Sequence, residues 1–457
     1  MNTLHIHNPA TGQLLATLPA DDAASVSAKA AAARAAQPAW AALAIEERLA
    51  CIRRFRAELV AEVETLAITL TQEMGKPVSQ ARGEINGLLG RIDFFLEQAE
   101  PTVADEHVFD GGGMHEKIGH IPLGVVANIS AWNYPYFVGC NVIVPALLTG
   151  NAVLYKPSEH ATLTGLNITR LLHAAGVPAA VMQCLVGVGA VGAALLDQRI
   201  DGLFFTGSHT TGQRIAVALA PRLVKLQLEL GGKDPTYVRE DADPRAAAES
   251  LADGAMYNTG QSCCSVERIY VHASIFDAFV EHFVHTVRGL KRGDPMDSAT
   301  YIGAITRAPQ ITVLQAQVAD ALAKGATLLC GGAALPGPGQ WFEPTVMTNV
   351  SHAMDLMREE SFGPVIGIQK VASDEEAVAL MNDTRYGLTA GVYTRDETRA
   401  RELLSRVNAG SVYWNCCDRV SPRLPWSGHG DSGLGLTLSR YGIQAFTRPK
   451  AWHLRQP

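Results

Sequence analysis

Between Gly124 and Ser208 the chain runs Gly124-Val-Val-Ala-Asn-Ile-Ser130, Ala152-Val-Leu-Tyr155, Val181 to Val186 and Gly202-Leu-Phe-Phe205. Each is a short apolar run, rich in β-branched or aromatic residues, and reads as a strand. A helical stretch from Leu163 to Ala175 lies between the second and the third. Strands alternating with helices at this spacing pack as a parallel sheet with helices on both faces. The texture resumes after Gly232. Pro235-Thr-Tyr-Val238, Arg268-Ile-Tyr-Val271, Thr327-Leu-Leu329, Val365-Ile-Gly-Ile368 and Gly391-Val-Tyr393 read as strands, with helices near 246–258, 275–290 and 309–324. The sequence therefore predicts two α/β domains joined near residue 230. Upstream, Asp21 to Gln98 repeats apolar positions at three and four and reads as helix, with a break at Pro101. Met114 to His120 alternates like a strand or hairpin arm. The tail from Gln444 to Leu454 has strand-like composition and is expected to pair with another chain.

Bulk properties bound the function classes. A chain of 457 residues is too long for one simple core. A hydrophobic fraction of 47% with 18% charged residues is ordinary for a soluble globular protein. Acidic residues outnumber basic ones 45 to 38, giving a charge of −7, and no basic stripe stands out, which argues against nucleic acid. The most apolar candidate for a membrane span, Val138 to Leu148, is short and holds Asn141 and Pro145. The first residues carry no cationic segment followed by an apolar one, so a cytoplasmic home is expected. The eight cysteines, at 51, 140, 184, 263, 264, 330, 416 and 417, show no Cys-x-x-Cys or zinc-finger spacing. Most are expected to be small buried hydrophobes, and no metal site is expected.

Four local motifs carry candidate chemistry. Gly187-Val-Gly189-Ala-Val-Gly192 matches the dinucleotide fingerprint after a strand, but the acidic residue expected about 20 positions on is missing. A tight turn packing helix on sheet explains it as well. Phe205-Thr-Gly207-Ser208 is the better phosphate candidate, a strand ending in a turn that opens a helix, where free N–H groups and the helix dipole favour an anion. The plainer reading makes Ser208 a helix cap. Leu228-Glu229-Leu-Gly-Gly232 sets a carboxylate in an apolar strand end, where burial would suit it to general-base work, unless it is an exposed edge residue. Asn258-Thr-Gly260-Gln-Ser-Cys263-Cys264 places a cysteine just after a glycine turn, a position where a thiolate can act, although a single cysteine is more often core.

Taken together and in order, these blocks resemble the aldehyde dehydrogenase superfamily over essentially the whole chain. The segment from Pro122 through Trp132-Asn133-Tyr-Pro135 is similar to the family's asparagine-bearing stretch. Lys156-Pro-Ser158-Glu159, the Thr-Gly-Ser turn and the Glu229 block follow, then Gly260-Gln-Ser-Cys263, Glu360-Ser-Phe362-Gly-Pro364 and Pro425-Trp426-Ser-Gly428. The resemblance implies Cys263 as nucleophile, Cys264 as a non-essential neighbour, Asn133 as oxyanion donor and Glu229 as the base that activates water. It implies Lys156 and Glu159 at the adenosine ribose, Gly207 and Ser208 at the pyrophosphate, and Glu360 at the nicotinamide ribose with Phe362 nearby. Trp132, Ser158 and Gly187 join the cofactor set, with Gly187 near the adenine. NAD is expected, since a carboxylate at residue 159 bonds a 2′-hydroxyl and repels a 2′-phosphate, with NADP use open through Lys156.

The departures are small: Ala131 stands where the family often has proline, Ser262 precedes the nucleophile, and Trp426-Ser-Gly replaces the commoner Gly-Gly form. A CoA-acylating relative generally lacks the glutamate of the Glu229 block, which favours hydrolysis. A Cys-dependent esterase would need no nicotinamide, and the Thr-Gly-Ser turn and Lys156/Glu159 argue against it. A non-catalytic member of the fold would not need Cys263, Asn133, Glu229 and Glu360 together. Tyr134, Val138, Asn141, Ser262, Cys264 and the loop from Trp414 to Pro425 are expected to line the aldehyde tunnel. The block Glu73-Met-Gly-Lys-Pro77 and the stretch at Asn258 resemble the bacterial succinate-semialdehyde dehydrogenase branch, and Arg419 and Arg423 could pair with a substrate carboxylate, against the plainer reading of surface or interface residues. The family layout implies a cofactor domain of residues 1–106, 121–230 and 433–444, a catalytic domain of 231–432, and an oligomerisation element of 107–120 and 445–457, giving a homodimer or homotetramer.

Overall fold

The computed structural model describes residues 3–417 and 419–456. Met1 and Asn2 of the leader reading, Asp418 of the 414–425 loop and Pro457 of the tail lie outside the described residues.

The chain opens with a hairpin, β1 (Thr3–His7) and β2 (Leu14–Pro19), then three long helices, α1 (Ala23–Ala42), α2 (Ile45–Met74) and α3 (Val78–Val103). Asp22 starts α1 by accepting from the Ser25 N–H while the Ser25 hydroxyl takes the Asp22 N–H, a reciprocal cap. Gly75 ends α2 in the left-handed conformation at φ 83°, which glycine adopts without a Cβ penalty. The expected break at Pro101 is not there. Proline lacks one N–H and clashes one turn back, yet α3 accommodates it at its very end and stops two residues later.

The first sheet has the order β17-β9-β8-β5-β6-β7. Its members are β5 (Val125–Ile129), β6 (Ala152–Lys156), β7 (Met182–Cys184), β8 (Gly202–Thr206), β9 (Lys225–Glu229) and β17 (Gly433–Leu434). Helices α4 (Pro135–Leu148), α5 (Thr162–Ala174), α6 (Gly189–Leu196) and α7 (His209–Leu219) connect the parallel strands. From β5 the chain builds outward through β6 and β7, then returns to place β8 on the other flank of β5. That reversal is a topological switch point, where open α/β sheets bind ligands beyond the carboxyl ends of the strands. Strands β5, β6 and β8 are buried on both faces, which explains why they read as continuous apolar runs.

The second sheet has seven strands in the order β12-β13-β14-β11-β10-β15-β16. They are β10 (Asp234–Val238), β11 (Val266–His272), β12 (Thr327–Cys330), β13 (Thr345–Thr348), β14 (Val365–Val371), β15 (Thr389–Tyr393) and β16 (Ser411–Trp414), with only the edge pair β12–β13 antiparallel. Helices α8 (Pro244–Met256) and α9 (Phe276–Gly289) pack together, as α10 (Ala308–Ala323), α11 (Asp374–Asn382) and α12 (Glu397–Ser405) complete the layers.

A third sheet joins β3 (Glu106–Gly111), β4 (Met114–Pro122) and, after α13 (Ser439–Gln444), β18 (Thr447–Arg455). The tail was expected to pair with another chain. One edge of it pairs with β4 of its own chain, in unbroken antiparallel register from Thr447↔Pro122 to Arg455↔Met114, and its other edge is open among the described residues. Among the described residues no helix is long and apolar enough to cross a membrane.

Candidate active site

The cofactor, oxyanion and base candidates of this half of the sequence lie at the carboxyl ends of first-sheet strands: Trp132 and Asn133 after β5, Lys156 to Glu159 at the end of β6, Gly187 after β7, Gly207 and Ser208 after β8, and Glu229 at the end of β9. Glu229 is not an exposed edge residue, because β17 pairs beyond β9 and the side chain is buried. The Thr206 hydroxyl donates to its Oε2 at 3.0 Å. Burial pushes this carboxyl up to about 7, against the opposing pull of the Thr206 bond and the positive charge of Arg91.

Cys263 comes from the other sheet, in the loop ahead of β11. The backbone before it is wound through three left-handed residues, Asn258 (φ 52°), Thr259 (φ 58°) and Gly260 (φ 69°). For a β-branched threonine this costs on the order of 1–3 kcal/mol, and surrounding bonds must hold it. They are present. The Thr259 hydroxyl accepts the Gly303 N–H at 2.9 Å, the Gln261 side-chain Oε1 accepts the Thr306 N–H at 2.9 Å, and Asn258 Nδ2 donates to the Gln261 backbone carbonyl at 3.0 Å. Gly260 is required for space as well, since an added Cβ would lie 2.2 Å from the Gly363 carbonyl oxygen. Cys263 is half-buried, whereas Cys264 is buried with its sulfur 3.5 Å from Ser262 Oγ.

Cys263 and Glu229 line one cavity of about 500 Å³, together with Tyr134, Val138, Asn141, Ser262, Cys264 and Trp426. Arg419 and Arg423 line it too, at its exposed mouth. They are thus surface residues and cavity residues at once. Asn133 is buried beside Tyr134 but is not itself among the lining residues. Its backbone is pinned from three sides. Lys76 Nζ donates to its carbonyl at 2.7 Å, Asn258 Nδ2 does so at 3.2 Å, and the fully buried Lys76–Glu84 ion pair ties this point to α3. Glu84 Oε1 then accepts the first N–H groups of α4, Tyr136 at 2.9 Å and Phe137 at 3.4 Å. The sequence reading held Lys76 only as part of the Glu73–Pro77 block and passed over Glu84, because a charged side chain on a helix normally faces water.

Glu360 rests against the glycines of the Glu229 block, with the Gly232 N–H donating to its Oε1 at 3.2 Å. A Cβ on Gly231 would lie 2.4 Å from Glu360 Oε2, and one on Gly232 would lie 3.0 Å from the Cys263 carbonyl oxygen. Both glycines therefore allow the two sheets to close on each other. Burial pushes the Glu360 carboxyl up to about 8. The turn carrying it is fixed by Glu267, whose carboxylate accepts the Ser361 and Phe362 N–H groups at 3.1 Å and pairs with Lys233 at 2.5 Å. Phe362 itself sits at φ 48° and meets the Trp132 ring edge-on, centroids 5.4 Å apart.

On the far flank, Lys156 is buried 3.7 Å from Glu159. Burial alone would raise the Glu159 carboxyl, but the Lys156 ammonium brings it below the usual carboxylate range. Gly192 lies against the Lys156 stem, 3.7 Å from where a Cβ would sit, and Gly187 is at φ 150°, where a side chain would strike Val191. Ser208 stands at the N-cap position of α7 but does not cap it; its hydroxyl pairs with Thr211 Oγ1 at 3.1 Å. A Cβ on Gly207 would meet the Phe205 ring at 2.5 Å. Glycine-lined turns and an α7 N-terminus without a side-chain cap form a cradle that fits a pyrophosphate.

Residues 1–452 match the model of the aldehyde dehydrogenase family. The chain belongs to this family. It is 37% identical to the 3,6-anhydro-alpha-L-galactose dehydrogenase of Streptomyces coelicolor, over 99% of this chain and 93% of that protein. It is 34% identical to the succinate-semialdehyde dehydrogenase (NADP(+)) of Deinococcus radiodurans, over 97% of this chain and 93% of that one. Among solved structures, an indole-3-acetaldehyde dehydrogenase in complex with NAD+ superposes with a TM-score of 0.96 at 34% identity, covering 99% of this chain and 93% of that one. Aldehyde dehydrogenases are oxidoreductases acting on aldehydes, and the sulfur, carboxylates and glycine turns described above are the groups available for that chemistry here.

Proposed function

We propose that this aldehyde dehydrogenase oxidises an aldehyde to a carboxylic acid through a thioester on Cys263 that water hydrolyses, with NAD as cofactor and NADP as a secondary one. The observation that carries this reading is the shared cavity: a half-buried thiol from one sheet and a buried carboxyl poised near neutrality from the other open onto the same space. The Cys263 thiolate adds to the aldehyde carbon, and the oxyanion of the thiohemiacetal takes hydrogen bonds from the Asn133 amide and the Cys263 N–H. When bound, the nicotinamide supplies the acceptor for the hydride that leaves this carbon, which leaves a thioester. Glu229 takes a proton from water, the water oxygen bonds to the thioester carbon, and the C–S bond breaks to release the acid and restore the thiolate.

The cofactor would lie along the switch point, with Lys156, Ser158 and Glu159 at the adenosine ribose, Gly187 near the adenine, Gly207 and Ser208 at the pyrophosphate, and Trp132, Glu360 and Phe362 at the nicotinamide end. The negative Glu159 favours NAD over a 2′-phosphate. The substrate in this reading is a semialdehyde such as succinate semialdehyde, supported by Arg419 and Arg423 on the cavity wall. The β18-β4-β3 sheet keeps both edges open, and Val108 and Phe109 on β3 are exposed, which supports its use in a cytoplasmic homodimer or homotetramer.

The test is direct. The protein with NAD and a panel of aliphatic, aromatic and carboxylated aldehydes, without CoA, should generate NADH steadily, and Cys263→Ala should abolish the signal. A signal that appears only with CoA would overturn hydrolysis in favour of acylation.

A further inference from the structure

Four consecutive residues at the junction of α2 and α3 reach three different parts of the site. The Lys76 ammonium donates to the Asn133 carbonyl at 2.7 Å. The Gly75 carbonyl accepts the Ala304 N–H at 3.3 Å, and the Met74 carbonyl accepts the Thr306 hydroxyl at 2.5 Å. Glu73 turns to the cofactor side. Its Oε1 accepts the Leu163 N–H at 2.5 Å, and its Oε2 accepts both the Thr164 N–H and the Thr164 hydroxyl at 2.9 Å. These N–H groups belong to the first turn of α5, where a helix cannot bond them internally. Ala161, at the N-cap position, has no side-chain oxygen to take them. A carboxylate from another helix, only 2% exposed, is therefore the cap of α5. Burial pushes this carboxyl up to about 7, and the groups that pull it the other way are the donors of α5.

Helix α5 starts directly after the loop that carries Ser158 and Glu159, and the two are tied together. The Ser158 carbonyl accepts the Ala161 N–H and the Thr162 hydroxyl, each at 3.0 Å, and the Ser158 hydroxyl accepts the His160 N–H at 3.3 Å. In the first turn of α5 a Cβ on Gly165 would lie 2.6 Å from the Pro157 Cβ, so helix and loop are in contact there as well. What fixes the N-terminus of α5 thus fixes the position of Glu159. We infer that Glu73 is a positioning residue for cofactor binding: without touching the cofactor, it holds the loop from Lys156 to Glu159 in the conformation that receives the adenosine ribose. The inference rests on the cofactor placement proposed above. Without the cap the loop occupies its receptive conformation for a fraction of the time, and the affinity falls by that fraction. The sequence reading quoted the block that begins at Glu73 only for its resemblance, since nothing local links it to a helix 90 residues further on.

The experiment measures binding of AMP, which carries only the adenosine end, and of NAD by titration calorimetry, followed by steady-state kinetics. Glu73→Gln keeps the size of the side chain but turns one acceptor into a donor facing an N–H. In this variant Kd for AMP and Kd for NAD should rise together, by about tenfold. KM for NAD should follow, whereas kcat and KM for the aldehyde at saturating NAD should stay within about twofold of the wild-type values. Thr164→Val removes only the hydroxyl bond and preserves the shape; it should raise both Kd values by about threefold, and it carries the test if Glu73→Gln does not fold. A purely structural cap would lower the melting temperature of both variants and leave the affinity of the folded protein for AMP unchanged. That result, or a fall in kcat as large as the rise in KM for NAD, would overturn the Glu73 assignment while leaving the proposed oxidation intact. A wild-type protein that binds neither NAD nor NADP would overturn both.

Discussion

A carboxyl group that titrates near 7 is neutral or charged within the range where most enzymes work, and this decides what Glu229 can do. As a base it must be ionised, so thioester hydrolysis should rise with pH through about 7 and level off above it, which a pH profile of steady NADH formation under saturating aldehyde would record. The same shift has a cost in stability. In the unfolded chain the group ionises near 4.5, and in the folded chain burial holds its proton to about 7. Folding therefore carries a penalty that is absent below pH 4.5, grows by about 1.4 kcal/mol per pH unit between the two values, and is complete above the higher one. Glu229→Gln should consequently raise the melting temperature at pH 8 and leave it nearly unchanged at pH 4.5, while removing activity. A lower melting temperature at pH 8 would mean that the carboxylate is stabilised in the folded protein. Little of this residue-level chemistry was legible beforehand. The sequence marked Glu229 as a carboxylate in an apolar strand end, but its burial depends on β17, which is two residues long and arrives about 200 positions later.

At the scale of elements, Lys76 and Glu84 bind the end of α2, the first turns of α3 and the start of α4 into one unit. Both side chains are fully buried. Removing one partner of a buried ion pair leaves the other charge without compensation, typically at about 3–5 kcal/mol. Lys76→Met should therefore lower the denaturant midpoint substantially, and Lys76→Met combined with Glu84→Gln, which leaves no charge, should recover most of the loss. If the double variant is no more stable than the single one, the pair does not act as a unit. Most of the parallel strands were legible because burial on both faces makes them uniform apolar runs. The hairpin of β1 and β2, the strand β13 and the strand β16 were not, because each is short and its apolar content is modest; β16 alternates between half-buried and exposed positions at the sheet edge. Pro101 misled by its position: it still loses a bond and crowds the carbonyl one turn back, but α3 stops two residues later, so the disruption marks the end of the helix rather than a break ahead of it.

At the scale of the whole molecule, the candidate site exists only where two sheets meet. The first brings Glu229, the glycine turns and the Asn133 segment; the second brings Cys263, Glu360 and Phe362. Glycines 231 and 232 let the halves touch, and Trp132 against Phe362 closes the seam. The ordered motifs in the sequence identified the parts and the family, but their convergence is long-range and no local pattern encodes it. In the proposed cycle Glu229 acts after the redox step, on the thioester. Rapid mixing of Glu229→Gln with NAD and an aldehyde that the wild-type protein oxidises, without CoA, should give a burst of about one NADH per active site, followed by turnover on the order of a hundredfold slower or more. A steady rate equal to that of the wild-type protein, with no burst, would show that another group activates the water.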